Sequence, residues 1–206
     1  MTRTATDTSV RVVPRLGSPV VRAQPPDVAP AHEVLRRVRA LPPSTRTVVV
    51  GLDGRSGSGK TRLAEELAAT LRWPVVRLDE IYPGWDGLAT APDVLATDVL
   101  LPLRDGRDAS WPTWDWVAGA PGPTAHLPWT PHVLVEGCGT GAPPAGGLVD
   151  LLVWLEAPEG LRRERALSRD GQTFAPHWER WAAQEAEVLC GVAERADLVL
   201  DTSGLG

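Results

Sequence analysis

The chain has 206 residues, 43% hydrophobic and 23% charged, a length and balance suited to one folded domain with a sizeable core. A formal net charge of −5 and a pI near 5.4 exclude the basic surface that nucleic-acid binding requires. No apolar run approaches the roughly 20 residues that span a bilayer, and two cysteines outside any metal-ligand spacing, Cys138 and Cys190, exclude a disulfide framework or a zinc site.

In chain order, residues 1–30 carry Pro14, Pro19, Pro25, Pro26 and Pro30 and read as an extended or poorly ordered arm. Residues 31–206 read as a single domain. Met1 to Val13 lacks the apolar stretch of a secretion signal, and with the cysteine usage a reducing cytoplasm is expected. Val34, Leu35, Val38 and Leu41 predict a helix over 31–41, ended by Pro42 and Pro43. Thr47 to Leu52 is a short, β-branched apolar run and predicts a buried strand. Leu63, Leu67 and Leu71, four residues apart, predict a helix from Lys60.

Later strands are expected at Val75–Leu78, Val133–Val135, Leu148–Leu155 and Leu198–Leu200, and helices near 92–103, 159–169 and 175–195. Residues 105–131, dense in Gly, Pro and Trp, read as an irregular functional loop or lid. Alternating strands and helices imply an α/β fold, with a parallel sheet of about five strands flanked by helices.

Between the first of those strands and its helix lies Gly54-Arg55-Ser56-Gly57-Ser58-Gly59-Lys60-Thr61, which fits G-x-x-x-x-G-K-[ST] at every defined position. Glycines let such a loop wrap phosphate oxygens with inward N–H groups, and the following helix N-terminus adds positive potential. This is the signature of a P-loop NTPase fold. Lys60 is the single lysine among 21 basic residues, and it sits where the β- and γ-phosphates of ATP are reached. The Thr61 hydroxyl suits Mg²⁺. Glu136, closing the apolar strand of Val133–Val135, is the expected carboxylate of that metal site or simply a solvated strand end.

Val75-Val76-Arg77-Leu78 delivers Asp79 to the C-terminal end of a strand, where α/β sheets place ligands. A carboxylate there can position an acceptor hydroxyl and take its proton. Glu80 is the second candidate, and capping of a following helix the structural alternative. Residues 159–170 carry Arg162, Arg165 and Arg169 on one helical face, suited to an arginine lid over transferring phosphate or to a solvated charged face. Nine Trp stand against one Tyr and one Phe, and Trp85, Trp114 and Trp116 suit either core packing or stacking on a flat ligand.

Together these motifs resemble the uridine kinase family of P-loop kinases, over about residues 47–170 and in the same order. Asp79 to Tyr82 is similar to that family's Asp-x-Phe-Tyr, with Ile81 in place of Phe. Pro112-Thr113-Trp114-Asp115-Trp116 resembles its Pro-x-Tyr-Asp-Phe segment, Val135-Glu136-Gly137 its strand ending in Glu-Gly, and Arg165 with Arg169-Asp170 its arginine lid. The resemblance implies a cytoplasmic kinase using ATP and Mg²⁺ on a small-molecule hydroxyl acceptor such as uridine or cytidine. It implies Asp79 as base, Arg165 and Arg169 on the phosphates, and Tyr82, Trp114 and Asp115 around the acceptor; Trp85, in a region where the chain departs from the family, is added as a stacking candidate. It also implies an adenine site beside the turn after the last strand. The family's His and Arg that follow the Pro-x-Tyr-Asp segment are replaced here by Val117-Ala118-Gly119-Ala120. That leaves other alcohols open: a sugar, a vitamin or a natural product. A non-kinase P-loop ATPase or nucleotide-binding switch is the remaining alternative. The guanine-reading Asn-Lys-x-Asp is absent, since Lys60 is the only lysine.

Overall fold

The computed structural model describes residues 21–23 and 29–204. The expected N-terminal arm lies mostly outside the described residues, apart from a short strand, β1 (Val21–Ala23). Helix α1 (Pro30–Arg39) follows, then β2 (Val48–Asp53), α2 (Lys60–Leu71) and β3 (Val75–Arg77). A helical stretch then runs through α3 (Ala91–Val94), a widened π turn (Leu95–Leu100) and α4 (Leu101–Arg104). Pro102 has no N–H to donate and crowds the carbonyl one turn back, a cause of such widening. Next come β4 (Ala109–Asp115), β5 (Ala120–Leu127), β6 (His132–Glu136) and β7 (Leu151–Glu156). The chain closes with α5 (Glu159–Phe174), α6 (Trp178–Val188), α7 (Val192–Arg195) and β8 (Leu198–Asp201).

Six strands form one sheet in the order β1-β8-β7-β2-β6-β3, every neighbouring pair parallel. It is one strand wider than expected, because Val21–Ala23 pairs with Leu198–Leu200 at the edge. The central strands alternate between two cores. Val49, Val133, Val135, Leu152 and Trp154 face one side with α3 to α7. Val50, Leu52, Leu134, Val153 and Leu155 face the other with α1 and α2. Both faces are covered, which explains why the strands read as unbroken apolar runs. Leu67 on α2 is fully buried there, worth roughly 1.5–3 kcal/mol. Among the described residues no helix is long and apolar enough to cross a membrane.

Residues 105–131 correct the expectation of an irregular loop. Strands β4 and β5 form an antiparallel hairpin with a register shift between Pro112 and Trp114. In a two-stranded ribbon each strand has an open edge, so Pro112 and Pro121 can point their missing N–H away from the partner. Asp115 sits at the turn, where its Oδ1 accepts the N–H groups of Val117 and Ala118, both at 2.9 Å.

Helix α5 is broken inside its span by Gly171, at φ 53° and ψ −131°. That backbone is open only to glycine, and it turns the remainder toward α6.

Candidate active site

The C-terminal ends of β2, β3 and β6 converge on one edge of the sheet. Asp53 closes β2 and is fully buried. Its carboxylate accepts N–H groups from Gly54 (2.7 Å), Gly139 (3.1 Å) and Gly141 (2.7 Å), which ties the phosphate loop to the loop after β6. Burial raises its pKa to about 6, opposed by those N–H groups and by Lys60.

The loop between β2 and α2 is held from several sides. At Gly57, φ is +77° and a Cβ would stand 2.0 Å from the Arg162 carbonyl oxygen, so helix α5 packs directly on the loop backbone. Arg162 is buried and donates to Ala157 O (3.1 Å) and Ser56 O (3.3 Å). Among the face of three arginines it is therefore the one that supports the loop. Glu185 of α6, 1% exposed, accepts the Ser56 N–H at 2.6 Å and the Trp181 Nε1–H at 3.1 Å. Thr202 donates its hydroxyl to Ser58 O at 2.8 Å.

Lys60 folds back over the loop, with Nζ donating to Gly54 O (2.8 Å) and Arg55 O (3.2 Å). Burial pulls its pKa down, and the surrounding acids Glu136, Glu185 and Asp53 push it up, so it stays protonated. Cys138 lies 3.5 Å from Nζ, and burial pushes its thiol pKa up, so it remains neutral.

Thr61 donates its hydroxyl to Glu136 Oε2 at 3.4 Å. Burial, then the nearby Asp79, raises the Glu136 pKa, while Lys60, Thr61 and Arg77 lower it. These hard oxygens suit Mg²⁺, which takes one or two carboxylates and completes its shell with phosphate and water. Among the described residues no group of three His, Cys, Asp or Glu forms a protein-only metal cage.

Asp79 is exposed in the short turn after β3 and lines a cavity of about 440 Å³ together with Thr61, Glu136, Tyr82 and Trp85. The phosphate loop, the Thr61–Glu136 pair and the carboxylate expected to act as base therefore share one space. Glu80 does not line it. Tyr82 is buried and donates to Cys138 O at 2.8 Å; burial raises its pKa. Trp85 stacks on Phe174 at 5.2 Å and on His177 at 4.5 Å between ring centroids.

Two expected acceptor contacts change place. Trp114 packs over Gly84, and Asp115 caps the hairpin turn, so neither lines the cavity. Trp116 lines it instead and donates Nε1–H to the Asp79 carbonyl at 2.7 Å. Trp116 stands just past the end of β4, at the start of the hairpin turn.

Arg165 and Arg169 both border a second cavity of about 350 Å³ over Gly57, Gly59, Lys60 and Thr61. Arg169 also lines the 440 Å³ cavity and forks onto Asp170 at 2.9 and 2.6 Å, which raises its pKa. Arg165 donates to Thr202 O at 3.0 Å and borders a third cavity of about 560 Å³, beside Ser203. Asp53, Glu185 and Trp181 are residues around these cavities that sequence reasoning did not single out.

A glycine-rich loop between β2 and α2, with Glu136 ending the neighbouring strand β6 and Asp79 following β3 beyond it, is the arrangement of the P-loop kinase fold. Solved structures share it. One is of a possible uridine kinase from Bacillus stearothermophilus, with a TM-score of 0.60 and 20% identity over 83% of this chain and 97% of that one. Another is of a candidate fructose transport system kinase from a Silicibacter species, with a TM-score of 0.57 and 19% identity over 84% of this chain and 99% of that one. No protein-family model matches the chain, and no curated protein matches it in sequence.

Proposed function

We propose that this chain is a phosphotransferase that moves the γ-phosphoryl group of ATP onto a hydroxyl of a small molecule. The observation that carries the reading is the shared cavity, in which Asp79 and the Thr61–Glu136 pair open onto the same space beside the phosphate loop. In a phosphoryl transfer the protein mainly positions reactants and stabilises charge. Gly54, Ser56, Gly57, Ser58 and Gly59 give the loop its backbone cradle, and Lys60 balances phosphate charge. Thr61 and Glu136 would hold Mg²⁺, which neutralises developing charge on the phosphates. Asp79 takes the proton of the acceptor hydroxyl. Arg165 and Arg169 stabilise the transferring group, and Arg169 exchanges its bond to Asp170 for one to phosphate. Tyr82, Trp85 and Trp116 wall the acceptor. The 560 Å³ cavity beside Ser203 is assigned to the adenine.

A nucleoside such as uridine or cytidine is the acceptor implied by the resemblance and by the fold shared with the possible uridine kinase. A sugar, vitamin or natural-product alcohol is the alternative, favoured by the absence of the family's base-contacting His and Arg. We further propose that residues 31–206 form one catalytic domain working in the cytoplasm, with residues 1–30 as an accessory arm.

The test is ADP release from Mg·ATP against a panel of nucleosides, sugars, vitamins and amino sugars, with Lys60→Ala as control. Release that needs an acceptor and is lost in the control supports the kinase. Release independent of every acceptor would replace it with an ATPase or switch.

A further inference from the structure

We infer that the 440 Å³ cavity takes a ring-bearing alcohol that carries no anionic group, and prefers one bearing an amine. This rests on the kinase reading above and narrows its substrate.

The first observation is where the cavity's own donors point. Tyr82 gives its hydroxyl hydrogen to Cys138 O, Trp116 its Nε1–H to Asp79 O, and Trp181 its Nε1–H to Glu185. These three, with Trp85 and Phe174, wall the cavity. Their polar hydrogens are engaged within the protein, so a ligand meets ring carbon surface. Such surface suits a flat or cyclic skeleton.

The second observation is charge. Two guanidiniums line the cavity, and each has a carboxylate beside it: Arg77 stands 3.8 Å from Glu136, and Arg169 forks onto Asp170. Asp79 is a third carboxylate. Three acids against two bases leave an excess of one negative charge. When Arg169 turns to phosphate, Asp170 loses its partner and the acceptor side becomes more negative still. An acceptor carboxylate or phosphate would shed water there and face net negative charge, which bound Mg·ADP or Mg·ATP, itself net negative, does not offset; that is costly. An ammonium would meet carboxylate oxygens and aromatic faces, both favourable.

The experiment uses three benzyl alcohols of similar size whose para substituents are neutral, cationic and anionic: para-methylbenzyl alcohol, para-(aminomethyl)benzyl alcohol and para-(hydroxymethyl)benzoate. Binding to the full chain with Mg·ADP is read by quenching of tryptophan fluorescence, and turnover by ADP release from Mg·ATP. The amine is expected to bind about tenfold more tightly than the benzoate, with the neutral alcohol between them. Asp170→Asn should narrow the gap between amine and neutral alcohol. Equal affinities, or a tighter benzoate, would overturn the charge preference. No saturable quenching by any probe up to its solubility would overturn the ring-alcohol class. Binding in the expected order without ADP release from any probe or panel acceptor leaves this inference standing and overturns the kinase reading instead.

Discussion

Glu185 on α6 accepts the backbone N–H of Ser56 in the phosphate loop at 2.6 Å. The same carboxylate oxygen takes the indole hydrogen of Trp181, which lines the 440 Å³ cavity. One buried acid thus joins the phosphate loop to the wall of that cavity.

Replacing Glu185 by Ala leaves the buried Trp181 donor without a partner, at about 1–3 kcal/mol, and frees the half-buried Ser56 N–H from its anchor. A fall in Tm of about 2–4 °C per kcal/mol is expected for a chain of this size, together with a raised KM for ATP. Glu185→Gln, which retains an acceptor oxygen, should fall between. Thermal melts and ATP titrations check this, and an unchanged Tm in the Ala variant would refute the assigned contact.

Gly57→Ala should be more disruptive than its size suggests. The new methyl would meet the Arg162 carbonyl at 2.0 Å, and φ at +77° disfavours any side chain. Loop and α5 must separate to admit it. Loss of ATP binding by calorimetry, with a folded circular dichroism spectrum, is the expected result. Wild-type affinity would show that the loop and α5 do not pack as described.

Asp79→Asn keeps the shape and removes the proton acceptor. We expect kcat to fall by about 10²- to 10⁴-fold, while the KM for ATP changes little, since Asp79 lies outside the phosphate loop. Steady-state kinetics with the identified acceptor decide it; an unchanged kcat sinks the base role.

Asp53 gives a pH signature. Its pKa rises from 3.8 to about 6 on folding, chiefly by burial. The folded chain therefore binds this proton more tightly than the unfolded chain. The stabilisation is full below the unfolded pKa and is lost as pH climbs through about 6. Urea titrations of wild type and Asp53→Asn across about pH 4 to 7 should show the wild-type advantage shrinking as pH rises. An advantage that grows would mean that the three backbone N–H groups outweigh burial.

The parts of this architecture that were legible in the sequence are those whose signals are local. Gly54–Thr61 and the apolar runs of β2, β6, β7 and β8 carry their structure in consecutive residues, because a strand buried on both faces needs no partner to be recognised. The hairpin of β4 and β5 was not legible. Pro112 and Pro121 interrupt its alternation, and those prolines become acceptable only once each strand has an open edge. Trp116, just past the end of β4, reaches the cavity while Trp114 within the strand does not, a difference that only the folded hairpin reveals. Glu185 offered no signal, since a Glu on an amphipathic helix reads as solvent-facing until α6 packs over the loop. Asp53 did offer one: an acid ending a run of buried strand residues is rarely idle.

Gly171 has a consequence of another kind. Before the bend, α5 presents Arg165 and Arg169 to the phosphate loop; past it, Thr173 and Phe174 border the 440 Å³ cavity. Substitutions at Thr173 and Phe174 can therefore reshape that cavity while the bend leaves Arg165 and Arg169 in place, a freedom that later positions lack because Glu185 and Thr202 hold the loop itself.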